Sequence, residues 1–279
     1  MRIMEKRFFI GLLVLCVMMV SFVGCSSNNN SPVSEDDIAQ VDLSVYEKGN
    51  YFITPQEVQT MLGSEDLVLL DCNKPDLYGK EHLPGAISIG LHAFSDKVGK
   101  PGDAGWGTIK SKEDLTKVLM ELGVDNDKTV VLYSNVFKGP GADGRAAWQL
   151  TLAGMDNVQI LLGGLSYWKD LGYEVTKEMP SEIVPSAEVV LKDYDQSFIA
   201  TKELIHENLG QQLVLDVRTE KEFNGSQNAG EPRGGHIQGA KHFLWTDFLQ
   251  ADGTLKSPED IETIMKSFDV AKTDDFVLY

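Results

Sequence analysis

The chain is short of cysteine and of positive charge. Three cysteines in 279 residues are too few for a disulfide framework. Lysine and arginine number 25 against 42 aspartates and glutamates, a net charge of −17. A chain so acidic lacks the basic face that phosphate contacts require, which excludes nucleic acid as a partner. No His/Cys cluster has zinc spacing, and no Ser-His-Asp motif context is present. The one glycine-rich match, Gly139-Pro140-Gly141-Ala142-Asp143-Gly144, carries an internal proline and follows a late apolar run. A dinucleotide site places its glycines after the first strand, with an acidic residue about 20 positions on. None stands there, so no cofactor is expected. What remains is ordinary globular composition, 42% hydrophobic and 24% charged. It suits one large or two modest domains, and not a disordered, collagen-like or polytopic membrane chain.

The first residues form an address. Arg2, Lys6 and Arg7 precede an apolar run from Phe8 to Val23. It is short for a spanning helix, which needs about 20 residues, and suits a signal-peptide core. It ends in Phe22-Val23-Gly24-Cys25, before a polar Ser/Asn stretch. This layout resembles the bacterial lipoprotein signal. The resemblance implies cleavage after residue 24, lipidation of Cys25 and a flexible tether over 25–50. The protein is then expected to be a membrane-anchored lipoprotein outside the cytoplasm, in the periplasm or cell envelope of a bacterium. An uncleaved anchor or an ordinary secretory signal are the alternatives.

The rest of the chain repeats itself. Phe52-Ile53-Thr54 recurs as Phe198-Ile199-Ala200, and Leu69-Leu70-Asp71 as Val214-Leu215-Asp216. His82-Leu83-Pro84-Gly85-Ala86 recurs as His236-Ile237-Gln238-Gly239-Ala240, and Ser111-Lys112-Glu113-Asp114 as Ser257-Pro258-Glu259-Asp260. Val130-Val131-Leu132-Tyr133 recurs as Phe276-Val277-Leu278-Tyr279. A period this long means tandem domains, not a solenoid. Thr54-Pro55-Gln56-Glu57 reads as a capping box opening a helix. Leu67–Leu70, Thr129–Tyr133, Val158–Leu161, Leu213–Leu215 and Phe276–Tyr279 read as strands buried on both faces. Helices are expected near Arg145–Ala153 and Leu165–Leu171. The alternation gives an α/β layer fold, with repeat 1 over 51–178, a linker over 179–195 and repeat 2 over 196–279.

Leu215-Asp216-Val217-Arg218-Thr219 and Gly234-Gly235-His236-Ile237-Gln238-Gly239-Ala240 together resemble the rhodanese family of sulfurtransferases, with Gln238 in place of the usual proline. Repeat 1 has Asp71-Cys72-Asn73 and Glu81-His82-Leu83-Pro84-Gly85-Ala86, with Asn73 where arginine is usual. The likeness runs from about Tyr51 to Tyr279 and is closest to tandem thiosulfate or 3-mercaptopyruvate sulfurtransferases. It implies two rhodanese-like domains, each a mainly parallel five-stranded sheet flanked by helices, the second incomplete. It implies a small anionic sulfur donor, a thiol or cyanide-like acceptor and no metal.

The family's chemistry uses a low-pKa cysteine in a loop at a helix N-terminus, directly after the fourth strand. In repeat 1 that place holds Ser134, so the domain is expected to be silent. In repeat 2 it falls after Tyr279. The missing elements would leave backbone unpaired and an apolar face uncovered. One specific cause of a stop there is a UGA codon meaning selenocysteine; a frameshift, a sequencing error and a true truncation compete. The 279-residue chain is therefore expected to lack its nucleophile. Arg218 is the candidate for binding the anionic donor, with an ion pair to Asp216 or Glu222 as the alternative. Asp71 and Asp216 are expected to fix the loop, His82 and His236 to hold their turns, and Cys72 to be a buried structural thiol. The competing function is a catalytically inactive rhodanese-like module that captures an anion or a partner protein.

Overall fold

A computed structural model describes residues 41–180, 182–227 and 230–279, all within one compact unit, Val33–Tyr279. The leader over 1–24 and Cys25 lie outside the described residues. No helix among the described residues is long and apolar enough to cross a membrane.

In repeat 1 the strands are β1 (Phe52–Ile53), β2 (Leu67–Asp71), β3 (Ile87–Ser88), β6 (Thr129–Tyr133) and β7 (Val158–Leu161). They form a parallel five-stranded sheet in the order β1-β7-β6-β2-β3. Its helices are α1 (Pro55–Met61), α2 (Pro75–Tyr78), α3 (Lys112–Glu121), α4 (Ala142–Leu152) and α5 (Gly164–Asp170). Strand alternation divides the core. Val68, Leu70, Val130 and Leu132 face one side, with Leu115 and Leu119 of α3 and Leu150 of α4. Leu69, Val131 and Tyr133 face the other, with Val58 of α1 and Trp168 of α5. Burial on both faces is why these strands read as continuous apolar runs. The expected capping box is present: Thr54 Oγ1 accepts from Glu57 N at 3.2 Å, and Thr54 N donates to Glu57 at 2.8 Å.

A two-stranded antiparallel ribbon, β4 (Ser95–Lys97) with β5 (Trp106–Ile109), has no counterpart in the sequence reading. Gly- and Pro-rich polar residues surround it, and no apolar alternation marks it.

Repeat 2 comprises α6 (Lys202–Glu207), β8 (Leu213–Asp216), α7 (Glu220–Phe223), β9 (Lys241–His242), α8 (Pro258–Ser267) and β10 (Phe276–Leu278). Its sheet is parallel and three-stranded, β10-β8-β9. β10 corresponds to β6, but among the described residues it pairs only with β8. Its Phe276 and Leu278 are 44% and 57% exposed, whereas Leu132, the repeat-1 match of Leu278, is fully buried. The core of repeat 2 is small, centred on Leu215, Phe243 and Val270.

The segment between the repeats lies against repeat 1. Val190 exchanges two hydrogen bonds with the Asn126 side chain, at 2.7 and 2.9 Å. Lys192 N donates to Ala153 O at 2.9 Å, and Val189 and Leu191 enter the core. The end of the predicted tether is also seated, with the Tyr46 hydroxyl donating to Lys256 O at 3.0 Å and Glu47 pairing with Lys272 at 2.8 Å.

Candidate active site

In each repeat, three loop structures meet at the C-terminal ends of the two central strands. Strand-end aspartates come first. Asp71 ends β2 and accepts from Asn73 N at 2.7 Å; Asp216 ends β8 and accepts from Arg218 N at 3.0 Å. Both carboxylates are fully buried.

Tyr133, the last residue of β6, and Tyr279, directly after β10, reach across. Tyr133 Oη accepts from Leu83 N at 3.1 Å, and Tyr279 Oη accepts from Ile237 N at 2.8 Å. Each hydroxyl also faces the aspartate of its own repeat. The backbones match as well: Cys72 N donates to Tyr133 O at 2.9 Å, and Val217 N to Tyr279 O at 3.0 Å.

The histidines hold their turns by one shared device. His82 stacks on Tyr78 at 3.8 Å and His236 on Phe223 at 3.7 Å. Each places Nδ1 against the carbonyl of that same aromatic residue, at 2.8 and 2.9 Å. The glycines of the two turns, Gly85 and Gly239, have φ of 78° and 82°, a conformation that residues with a Cβ resist.

Charge distinguishes the two sites. Arg218 binds Asp216 through Nε (3.0 Å) and Nη2 (2.6 Å). Nη2 also donates to Gly235 O at 2.9 Å, and the guanidinium lies over the Tyr279 ring at 4.9 Å. Burial works to raise the Asp216 pKa, but the bonds from Arg218 outweigh it and hold the carboxyl below its ordinary value. The ion pair weighed as an alternative for Arg218 is thus present, and it occupies Nε and Nη2.

Repeat 1 offers Asn73 in place of that cation. Burial pushes the Asp71 carboxyl up, against the Asn73 and Tyr133 groups that face it and lower it, and none of Asp71 Oδ2, Asn73 Nδ2 and Ser134 Oγ, all buried, has a partner in good hydrogen-bond geometry. Ser134 is 2% exposed. Nearby, at the start of α4, is the buried Asp143, whose own carboxyl is pushed up by burial, partly offset by the Ser134 hydroxyl. An acidic side chain at that place opposes any anion on residue 134. Cys72 is also buried, and burial, Asp143 and Asp71 drive its thiol well above the ordinary value. It lacks the electropositive, partly exposed setting that lowers a thiol's pKa. Arg145 gives its Nη2 to Gly107 O and, at 3.3 Å, to Ser95 Oγ. It pins the β4–β5 ribbon to α4. The glycine-rich match falls on this same loop, where Gly141 caps α4. Among the described residues, no group of His, Cys, Asp or Glu is placed to hold a metal ion.

Sequence reasoning missed the tyrosines and Asp143. The tyrosines had a signal, recurrence at the same place in both repeats. Asp143 had none, because its burial depends on how the loop before α4 folds back.

Known proteins resemble this chain in sequence and in fold. The rhodanese-like domain family matches residues 54–171. The sulfur carrier protein TtuD of Thermus thermophilus is 30% identical over 73% of this chain and 72% of its own length. A probable 3-mercaptopyruvate sulfurtransferase of Pseudomonas aeruginosa is 31% identical over 75% of this chain and 76% of its own. Among solved structures, SseA from Escherichia coli superposes with a TM-score of 0.67 at 23% identity, over 82% of this chain and 87% of that one. YnjE gives 0.68 at 23% identity, and this chain spans 58% of its length. The chain belongs to the rhodanese family, the group that contains the thiosulfate and 3-mercaptopyruvate sulfurtransferases.

Proposed function

We propose that the protein is a sulfurtransferase whose transfer site lies in repeat 2, on the residue that follows Tyr279. One observation carries this reading: Tyr133 and Tyr279 make the same hydroxyl contact, to Leu83 N and Ile237 N. By that correspondence, a residue after Tyr279 would take the place that Ser134 has in repeat 1. A thiolate or selenolate there attacks the sulfane sulfur of thiosulfate, forms a persulfide or selenopersulfide, and releases sulfite. With 3-mercaptopyruvate, the carbon–sulfur bond breaks and the carbon fragment takes up a proton to leave as pyruvate. A thiol or cyanide then takes the sulfur and frees the nucleophile.

Arg218 serves this site in two ways. Its paired face ties Asp216 to the Gly235 loop, and Nη1 is the part it can present to an anionic donor. A lipid on Cys25 would hold the protein at a membrane outside the cytoplasm; a radiolabelled fatty acid should label the wild-type chain and not Cys25→Ser.

The second reading, an inactive module binding an anion or a partner protein, draws on Ser134 and on the inert environment of Cys72. Thiosulfate:cyanide assays on the extended protein and on the 279-residue chain separate the two readings, the first predicting turnover by the extended protein and the second none. The 279-residue chain should show no turnover, with or without Cys72→Ser. Robust turnover that disappears in Cys72→Ser would make Cys72 the nucleophile and overturn the assignment.

A further inference from the structure

A pocket of about 260 Å³ opens beside α4, away from the loops described above. Three aromatic side chains from three separate elements line it: Tyr51 before β1, Trp148 on α4, and Phe198 at the start of repeat 2. Asp195 supplies its one charged group, and no lysine, arginine or histidine lines it. Phe198 is 67% exposed, so its ring is open to a ligand.

The walls are fixed. Gln159 donates to Phe52 O at 3.0 Å, which holds the strand next to Tyr51. Asp195 N donates to Leu152 O at 3.3 Å, which ties the acid to the end of α4. Asp195 Oδ1 accepts from Ser197 N at 2.9 Å and from its hydroxyl at 2.7 Å. Both bonds use Oδ1, so Oδ2 remains for a ligand.

The floor is kept clear by small residues on one face of α4, Gly144 and Ala147. Glycine inside a helix is disfavoured relative to alanine. A Cβ added at Gly144 would nonetheless meet nothing within 4 Å. Packing therefore does not require glycine there, and a larger side chain would enter the open space.

We propose that this pocket binds a small alkylated ammonium ion, its charge set against the faces of Tyr51, Trp148 and Phe198 and balanced by the Asp195 carboxylate. Ring faces attract cations through their quadrupole, and alkylated ammonium suits such cages because its surface is apolar while its charge remains. The chain's net charge of −17 favours the approach of a cation. The proposal does not depend on sulfur transfer.

Calorimetric titration of the 279-residue chain with tetramethylammonium and with choline tests it. Both should bind. The neutral carbon isostere of choline, with tert-butyl in place of trimethylammonium, should bind at least about tenfold more weakly, since it lacks the cation–π term of three rings. Trp148→Leu should weaken choline about tenfold and Phe198→Leu about fivefold. Asp195→Asn should weaken it and flatten its dependence on salt. Gly144→Leu should abolish binding without lowering Tm. If that variant fails to fold, Trp148→Leu decides the question. Absence of choline binding would overturn the proposal. So would equal affinity for the neutral isostere, which would make the pocket merely apolar, or an unchanged affinity in Trp148→Leu.

Discussion

The two repeats place the same aspartate at the end of the same strand and treat it in opposite ways. Asp216 meets Arg218 and is held below the ordinary carboxylate range, whereas Asp71, with Asn73 in place of a cation, is pushed above it by burial. The surrounding packing runs the other way. Repeat 1 buries its sheet on both faces, while repeat 2 has a small core and an exposed outer strand. Packing and charge have separated: the well-packed repeat lacks the cation, and the repeat that keeps it is the less covered. The scaffold shared by the two sites, Tyr, His turn and Asp, is the same under either choice.

The sharpest way to break this comparison is to remove the same leucine from both copies. Leu132→Ala should cost about 4 kcal/mol, as full burial and a residual cavity dictate. Leu278→Ala, at the matching position but 57% exposed, should stay within about 0.5 kcal/mol. Denaturant melts of the two variants would show it, and a loss above about 2 kcal/mol at Leu278 would mean that the outer face of β10 is covered.

Next in size is the ion pair. Arg218→Ala strands a buried carboxylate and should cost about 3 kcal/mol. Arg218→Asn imports the repeat-1 pairing and should move the Asp216 titration, followed by carboxyl carbon NMR, toward that of Asp71.

A smaller, pH-dependent effect follows from the two aspartates. The folded pKa of Asp216 is depressed. Its contribution is present above the ordinary value of about 3.9 and is lost as pH falls through the lower folded value. The folded pKa of Asp71 is raised. Its contribution is fully present below about 3.9 and is lost as pH rises through the raised value. Acidification toward about pH 4 should therefore strengthen repeat 1, and further acidification should weaken repeat 2. Hydrogen exchange resolved by repeat would follow both arms, and Asp71→Asn should reduce the first alone, leaving the part that the raised carboxyl of Asp143 supplies.

The smallest difference concerns the capping boxes, Thr54 with Glu57 and Thr219 with Glu222. Thr54→Ala should cost about 1 kcal/mol. Thr219→Ala should cost less, since α7 is a single exposed turn; equal losses in thermal melts would contradict that ranking.

Much of this was legible in the sequence. Thr129–Tyr133 and Val158–Leu161 have the bounds that their apolar runs indicate, because strands buried on both faces need nothing else. Helix α4 begins at Ala142, ahead of the expected Arg145, since Gly141 caps it in a left-handed conformation, φ 73°. The β4–β5 ribbon was not legible because Arg145, distant in sequence, helps to pin it. At the site, the strand-end aspartates and turn histidines stood out by recurrence. Of the partners of Arg218, Asp216 was among the alternatives read from the sequence, but the Gly235 carbonyl was not, because it reaches Arg218 only through the folded loop.

The central assignment places sulfur on repeat 2 and leaves repeat 1 silent. Its most direct test is to translate the reading frame past Tyr279, load the product with thiosulfate and locate the added sulfur by peptide mass spectrometry. The account predicts a persulfide or selenopersulfide on the residue that follows Tyr279, with Cys72 unmodified. Sulfur carried on Cys72, or none carried after Tyr279, would contradict it.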